Sequence, residues 1–157
     1  MPSISVQKQI AAPPERVWEI LANPESLPGV IDSVTSVERL DDNEGFVVGT
    51  RWRETRRVLG RQASQEIEAV AIESRRSFVT EAESNGTRYT TVHTLEPVGN
   101  GTLLTVTFTG TPLTALSRVV SAVTTPIFRS ATRKAIESDV AALAAAAERE
   151  PTGETAD

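Results

Sequence analysis

A few side chains in the middle of this 157-residue chain have the chemistry to act on a bound molecule. His93 is the only histidine, and an imidazole with an ordinary pKa of about 6.5 accepts or donates a proton near neutral pH. Arg56 and Tyr89 are the other candidates for moving a proton or stabilising a developing negative charge. A lone histidine often only hydrogen-bonds a neighbour, so catalysis is one of two open interpretations.

Aromatic and charged side chains close to these candidates are suited to line a binding site. Trp52 and Tyr89 could stack on a flat ring, although aromatic residues in strands usually pack in a core. Glu54 and Arg56 have the same parity on a predicted strand. If both point inward, they should pair with each other or meet the polar end of a ligand, because a single buried charge is costly. If both point outward, they are ordinary surface charges.

The composition excludes several classes of site. Without cysteine the chain has no disulfide, thiolate metal ligand or cysteine nucleophile. One histidine provides no zinc-site spacing, and the acidic residues form no calcium-loop pattern. There is no Gly-x-Ser-x-Gly or Gly-Lys-Ser/Thr motif, and Gly99-x-Gly101 lies in a predicted hairpin. We therefore expect no metal and no cofactor, and we exclude hydrolase, nucleotidase and dinucleotide-dependent dehydrogenase functions.

The charge and hydropathy patterns argue against nucleic acid and membranes as partners. The net charge is −5, whereas a phosphate-binding protein needs a basic face. Five arginines fall within residues 51–61, but strand spacing would divide them between two faces. The longest apolar run, residues 140–147, is far shorter than the roughly 20 residues that span a bilayer. With no signal-peptide pattern at the N-terminus, we predict a cytoplasmic protein without integral membrane association.

The elements that must position these side chains begin with a strand and two short helices. Apolar residues alternate over residues 4–10, which indicates a strand. Two prolines and an acidic residue then suit the first turn of a helix over residues 14–22. Asn23-Pro24 should end that helix, because the residue before a proline avoids the helical region. A second short helical turn is predicted over residues 24–27.

Six further strands with a period of two follow these helices. We predict them at residues 31–41, 47–59, 62–73, 77–84, 87–97 and 102–110. The connections between them are short and turn-rich, as at Asn85-Gly86 and residues 99–101. Short connections between consecutive strands imply antiparallel hairpins. The sequence therefore predicts an antiparallel meander.

A long C-terminal helix is predicted after Pro112, where apolar residues fall mainly three to five positions apart. Pro126 lies inside this helix and should kink or break it near residues 122–125. A chain of this length fills one core, and its last residues lack apolar anchors. We therefore predict one domain over residues 1–148 and a disordered tail over residues 149–157.

Four sequence patterns extend over nearly the whole chain, from about residue 3 to residue 148. They are Ile10-x-Ala12-x-x-Glu15-x-Val17-Trp18, Gly49-Thr50-Arg51-Trp52, Leu95-Glu96-Pro97 followed by Gly101-Thr102-x-Leu104-Thr105, and an alanine-rich final helix. Together with the element order they resemble the START-like helix-grip (SRPBCC) superfamily, in particular its polyketide cyclase/dehydrase-like family. The resemblance implies an α+β helix-grip fold: a curved seven-stranded antiparallel sheet around the long C-terminal helix, with two short helices between strands 1 and 2.

The resemblance also implies a cavity between the concave face of the sheet and the final helix. Strand alternation and the helical stripe then assign residues to its wall, although a β-bulge would invert the assignment beyond it. Ala69 and Ala71 should point inward and leave room for a ligand. The predicted ligand-binding residues are Trp52, Glu54, Arg56, Phe78, Tyr89, Thr91, His93, Val106, Phe108, Val120 and Ile127.

Three functions fit this fold, because a fold alone does not define a reaction. The first is binding of a small hydrophobic molecule, such as a lipid, a polyketide or another aromatic metabolite. The second is an enzyme resembling polyketide aromatase/cyclases, with His93, Arg56 and Tyr89 as catalytic candidates. The third is a protein-interaction module, which an exposed apolar patch outside the cavity would mark. We expect a monomer or a homodimer.

Overall fold

The computed structural model follows the predicted order of strands and helices. It describes residues 3–58 and 60–149, and within these it describes every side chain except those of residues 121–128. The elements are β1 (Ser3–Ile10), α1 (Pro14–Leu21), a 3₁₀ helix (Pro24–Gly29), β2 (Val34–Arg39), β3 (Arg51–Val58), β4 (Arg61–Glu73), β5 (Ser77–Ser84), β6 (Thr87–Val98), β7 (Gly101–Pro112) and α2 (Ala115–Glu148). The α+β class and the two short helices between strands 1 and 2 are confirmed.

All seven strands form one curved antiparallel sheet in the order β1-β7-β6-β5-β4-β3-β2. Strands β2 to β7 are consecutive neighbours, as expected for hairpins, while β1 pairs with β7 along its whole length from Ser3↔Thr109 to Ile10↔Thr102. The buried core lies where α2 packs against the β1 and β7 end of the sheet, with Ile10, Leu104 and Val140 almost fully enclosed. The helix-grip architecture is therefore as predicted.

Two strand starts differ from the predictions by three or more residues, for local reasons. Strand β2 begins at Val34 rather than residue 31, because Ile31 donates its backbone N–H to Leu27 and extends the turn after the 3₁₀ helix. Strand β3 begins at Arg51 rather than residue 47, because the Asp41 carboxylate accepts the backbone N–H of Arg51 at 2.8 Å and closes a loop. Side-chain capping of a loop competes with strand pairing in this way.

The predicted inward orientation of Ala71 is wrong. The pairing of β4 with β5 shifts register between Ala69 and Ala71, which marks a β-bulge. Ala69 before the bulge is fully buried, whereas Ala71 after it is exposed. Ile72 takes the inward position instead and pairs with Phe78. An extra residue at a bulge inverts the alternation beyond it, so parity fails from this point of β4 onward.

Helix α2 runs without interruption from Ala115 to Glu148, so of the kink or break predicted near Pro126 the break does not occur. Both ends of the helix are held. At the N-terminus, Thr114 and Ser117 form a capping box with two 3.1 Å hydrogen bonds. Near the C-terminus the Glu148 carboxylate accepts the backbone N–H of Ala11 at 2.8 Å. None of the described helices combines the length and apolarity that crossing a membrane requires.

A candidate ligand-binding cavity

A cavity of about 420 Å³ lies between the concave face of the sheet and α2. Its wall is drawn from α1, the 3₁₀ helix and the turn after it, strands β3 to β7, and α2, which crosses them. The lining residues are Leu21, Pro24, Leu27, Ile31, Trp52, Glu54, Arg56, Val58, Gln65, Ile67, Phe78, Thr80, Thr91, His93, Val106, Phe108, Ala131, Thr132, Ala135, Ile136, Asp139, Val140 and Leu143. This volume and this mostly apolar wall with a few polar groups are typical of small-molecule sites, which occupy about 300–1,000 Å³.

Aromatic rings form one side of the cavity and support each other by edge and face contacts. The Phe78 and His93 rings stack with centroids 4.4 Å apart and planes 9° from parallel. Phe46, from the loop after β2, meets Phe78 edge-on at 5.2 Å and lies 6.4 Å from Trp52. Trp18 of α1 meets Phe78 edge-on at 5.8 Å. Such contacts stabilise ring pairs beyond simple burial and hold this wall rigid.

A charged cluster forms the polar side of the cavity. The Arg56 Nε donates to Glu54 at 2.6 Å, and its two terminal nitrogens bind the Asp139 carboxylate at 3.2 and 2.9 Å. Arg56 Nη1 also donates to the Ser33 hydroxyl at 3.4 Å. Glu54 and Arg56 share an inward face of β3, as one of the two sequence interpretations held, and Asp139 reaches them from α2. The bidentate geometry is the strong form of a charged hydrogen bond.

The environment of the cluster shifts two pKa values. Burial by itself lowers the pKa of Arg56, but the hydrogen bond to Asp139 and the charges of Glu54 and Asp139 outweigh it and raise that pKa above its ordinary range. Burial raises the pKa of Asp139, and the hydrogen bond from Arg56 opposes this rise. Arg56 is therefore permanently charged, and its positive charge is held by two carboxylates.

His93 is a neutral imidazole facing the cavity. Burial lowers its pKa to about 4, so it carries no charge near neutral pH. Its Nδ1 is enclosed and has no hydrogen-bond partner among the described residues. Since His93 lines the cavity, Nε2 is the nitrogen that meets it. An enclosed N–H without an acceptor is rarer than an enclosed lone pair without a donor, so the proton belongs on Nε2.

Most of the residues predicted to bind a ligand lie on this wall. The cavity brings together Trp52, Glu54, Arg56, Phe78, Thr91, His93, Val106 and Phe108. Tyr89 is not part of the described wall; it stacks on Phe108 at 5.4 Å and covers Gly110 instead. Val120 is 51% exposed near the start of α2 and also lies off the wall. The side chain of Ile127 lies outside the described residues, as does the predicted tail beyond residue 149.

Asp139 is the main polar residue of the cavity wall that the sequence interpretation missed. A signal for it was present, because Ile136, Asp139, Val140 and Leu143 follow the i, i+3, i+4, i+7 spacing of one helix face. An acidic residue on an otherwise apolar face is costly to bury unless a partner meets it. Phe46 was also missed, since it lies in a loop that strand alternation cannot orient.

Two other hollows differ in character from the cavity. One, of about 330 Å³, lies where Ile10, Gly101 and Glu148 meet. The other, of about 460 Å³, lies between β4 and β5 and is bordered by charged side chains such as Glu66 and Glu83. Strands β4 and β5 pair only as far as Glu68↔Glu81. Beyond that pair the two strands no longer pair with each other, and Gln65 and Ile67 line both this hollow and the cavity.

An apolar patch is exposed at the start of α2. Leu113 is 43% exposed, Leu116 is 73% exposed and Val119 is 63% exposed. This is the surface feature expected of an interaction module, whose assignment stays a prediction. Among the described residues, no group of three or more histidine, cysteine or acidic side chains is arranged to hold a metal ion.

Comparison with known proteins places these features in a family context. Residues 1–148 match the family model described as polyketide cyclase/dehydrase and lipid transport. No curated protein sequence matches the chain. The structure is similar to the Zhui aromatase/cyclase from Streptomyces sp. R1128, with a TM-score of 0.80 and 16% identity over 97% of this chain and 98% of that one.

Two further solved structures have the same fold. A Thermus thermophilus protein, TTHA0849, has a TM-score of 0.76 and 20% identity over 93% of this chain and 97% of its own. The di-domain ARO/CYC BexL of the BE-7585A biosynthetic pathway has a TM-score of 0.78 and 17% identity, and 96% of this chain covers 51% of it. The chain thus spans about half of that di-domain protein. At these identities the likeness establishes the fold alone.

Proposed function

The chain belongs to the polyketide cyclase/dehydrase and lipid-transport family, and we propose that it binds a small hydrophobic molecule in the cavity between its sheet and α2. The observation that carries this proposal is the 420 Å³ space itself, which sits inside the fold and is faced mainly by apolar and aromatic side chains. Protein interiors are normally packed as densely as organic crystals, so an unfilled space of this size is typical of a ligand-binding site.

The small residues on α2 support the same interpretation. Ala131, Thr132 and Ala135 face the cavity where larger side chains would have filled it. The opposite wall is the rigid aromatic group of Trp52, Phe78 and His93. A flat ring system placed between the two would contact aromatic rings on one side and leave the helix undisturbed on the other. This geometry favours an aromatic or polyketide-like molecule over a branched one.

A fluorescence titration with N-phenyl-naphthylamine, a neutral dye that brightens in apolar sites, tests the proposal. The variant Ala135→Phe should fill the cavity and lower the affinity by roughly tenfold or more, because the ring displaces the dye. The matched control Ala141→Phe places the same ring on an exposed position of α2 that lies off the wall, and it should bind the dye as the unmodified protein does.

Two outcomes of this titration would contradict the proposal. If the dye does not bind, and native mass spectrometry of the purified protein shows no retained ligand, the cavity is not a binding site. If both phenylalanine variants lower affinity equally, the dye binds elsewhere. Trp52 lines the cavity whereas Trp18 lies behind Phe78. In a Trp18→Phe protein the remaining tryptophan fluorescence should therefore be quenched by the bound dye.

A second candidate function, cyclisation or dehydration of a polyketide-like chain, is favoured by one observation. His93 is neutral near neutral pH and presents a ring nitrogen to the same cavity as the Arg56 cluster. Its Nε2–H can donate a hydrogen bond to a carbonyl oxygen and stabilise the enolate that forms while a folded chain is held in place. A synthetic poly-β-ketone thioester offers the test. The protein should accelerate formation of the aromatic product, and His93→Gln should slow it, whereas equal rates with and without protein would remove this candidate.

A further inference from the structure

The charges on the cavity wall restrict which polar groups a ligand can carry. Among the described lining residues, Arg56 is the only one with a permanent positive charge, and Glu54 and Asp139 are the acidic ones. The three are in direct contact through bonds of 2.6 and 2.9 Å. One guanidinium against two carboxylates leaves one excess negative charge, and protonation of one carboxylate leaves none. Neither state leaves a positive charge for a ligand.

The donor groups of Arg56 are also largely occupied. Its Nε is used by Glu54, Nη1 by Ser33 and Asp139, and Nη2 by Asp139. A guanidinium has five N–H groups, so four of them are engaged. A carboxylate entering the cavity would have to displace Glu54, which is only 9% exposed, or Asp139. The displaced group would then be an unpaired anion in a poorly solvated space.

A different polar group remains free to meet an uncharged ligand. His93 lines the cavity with its Nδ1 enclosed, so Nε2–H is the ring donor left to meet a ligand. It is a donor without a formal charge, so it suits a carbonyl or hydroxyl oxygen. The parallel contact of Phe78 fixes the plane of the imidazole and hence the direction of that N–H.

We infer that the cavity selects neutral molecules that carry a ketone or hydroxyl oxygen and rejects carboxylates, including free fatty acids, with Glu54 and Asp139 imposing the rejection. This inference rests on the proposed function, since it specifies the ligand of the same cavity. The family description covers both polyketides and lipids. For this chain, we infer that the described wall accepts a keto or phenolic ring compound and disfavours an anionic lipid.

Two probes of nearly the same shape test the inference: methyl β-naphthyl ketone and β-naphthoate. Isothermal titration near neutral pH should give at least roughly tenfold tighter binding of the ketone, because like-charge juxtaposition in a partly buried site is strongly unfavourable. Equal or tighter binding of the naphthoate would overturn the inference. If neither the probes nor N-phenyl-naphthylamine binds, the proposed binding function itself fails, so the two failures are distinguishable.

Variants then assign the selectivity to residues. Glu54→Gln and Asp139→Asn each release part of the Arg56 charge and should reduce the ketone preference by about threefold or more. Glu66→Gln changes the net charge equally but at a half-exposed site on β4, where Glu66 pairs with Arg51 and Arg53, and it should leave the preference unchanged. An unchanged preference in both cavity variants, or an equal change in Glu66→Gln, would contradict the assignment. Two cavity variants keep the test usable if one fails to fold.

The role of His93 has its own comparison. Plain naphthalene lacks the oxygen, so the affinity ratio of the ketone to naphthalene isolates the hydrogen bond. His93→Phe should lower that ratio by about three- to tenfold, the usual effect of one hydrogen bond, while naphthalene still binds. A ratio that His93→Phe leaves unchanged would show that the oxygen does not meet this nitrogen.

Discussion

Replacing Arg56 by methionine should destabilise the protein because it leaves two enclosed carboxylates without a counterion. The side chains of Arg56, Glu54 and Asp139 are 28%, 9% and 22% exposed. Breaking a buried ion pair by removing one partner costs about 3–5 kcal/mol. Partial exposure of these side chains offsets part of that cost, so we expect a loss of about 2–4 kcal/mol. For a chain of this length, that corresponds to a melting temperature lower by about 5–15 °C.

Urea unfolding followed by circular dichroism measures this loss, and two further variants identify its cause. Arg53→Met removes an arginine from the same strand, but Arg53 pairs with Glu38 and Glu66 on the outer face and is 42% exposed. Its effect on the unfolding midpoint should be much smaller. In a triple variant that combines Arg56→Met with Glu54→Gln and Asp139→Asn, more than half of the lost stability should return, because no uncompensated charge remains.

The same variant has a predicted pH dependence. Burial already raises the pKa of Asp139 in the folded protein, and without Arg56 the opposing hydrogen bond is lost, so that pKa rises further. A carboxyl whose pKa is raised by folding stabilises the folded state below its unfolded pKa of about 3.9, and this contribution disappears as the pH rises through the folded pKa. The deficit of Arg56→Met should therefore be smaller near about pH 4 than at neutral pH. Two results would refute the idea that Arg56 neutralises the two carboxylates. One is an Arg56→Met variant as stable as the unmodified protein, and the other is a triple variant no more stable than Arg56→Met.

Three other predictions follow from particular residues. Hydrogen bonds hold the pKa of Asp41 at about 2, so the stability that this carboxylate gives the fold should be complete above about pH 4 and lost as the pH falls towards 2. In Asp41→Asn, the melting temperature should not show this contribution to the fall in acid. A Cβ on Gly101 would lie 2.5 Å from the Ile10 carbonyl oxygen, whereas one on Gly29 meets open space, so Gly101→Ala should cost about 1–3 kcal/mol in unfolding experiments and Gly29→Ala much less. As the sole histidine, His93 gives one set of imidazole NMR signals, which should titrate with a midpoint at about pH 4. A midpoint at about pH 6.5 would mean a solvated ring. Because folding lowers the pKa of His93, the stability that the neutral ring contributes should be lost as the pH falls from about 6.5 to 4.

The sequence predicted most of the fold because its signals are local. Strands β5 and β6 begin at the predicted residues, since period-two alternation and the Asn85-Gly86 turn specify both the strands and their hairpin. The helix that follows Pro112 was predicted from its stripe, but its passage through Pro126 was not. A proline removes one hydrogen bond locally, whereas the continuity of a helix also depends on packing that the local sequence does not contain.

The cavity wall was predictable only as far as strand parity holds. Trp52, Glu54 and Arg56 were assigned to one face and lie together on it, because a strand without a bulge keeps its alternation. Ala71 was misassigned because the bulge after Ala69 is set by the register with β5, which no single strand encodes.

What the amino-acid sequence determined by itself is the order of the elements and the side of each regular strand that turns inward. Tertiary structure alone decided the chemistry of the cavity. Arg56 and Asp139 are 83 residues apart in the chain, and only the packing of α2 across the concave sheet brings the carboxylate to the guanidinium. The shifted pKa values of Asp139 and His93 have the same origin. Desolvation depends on every element that encloses a group, and local sequence does not contain that information.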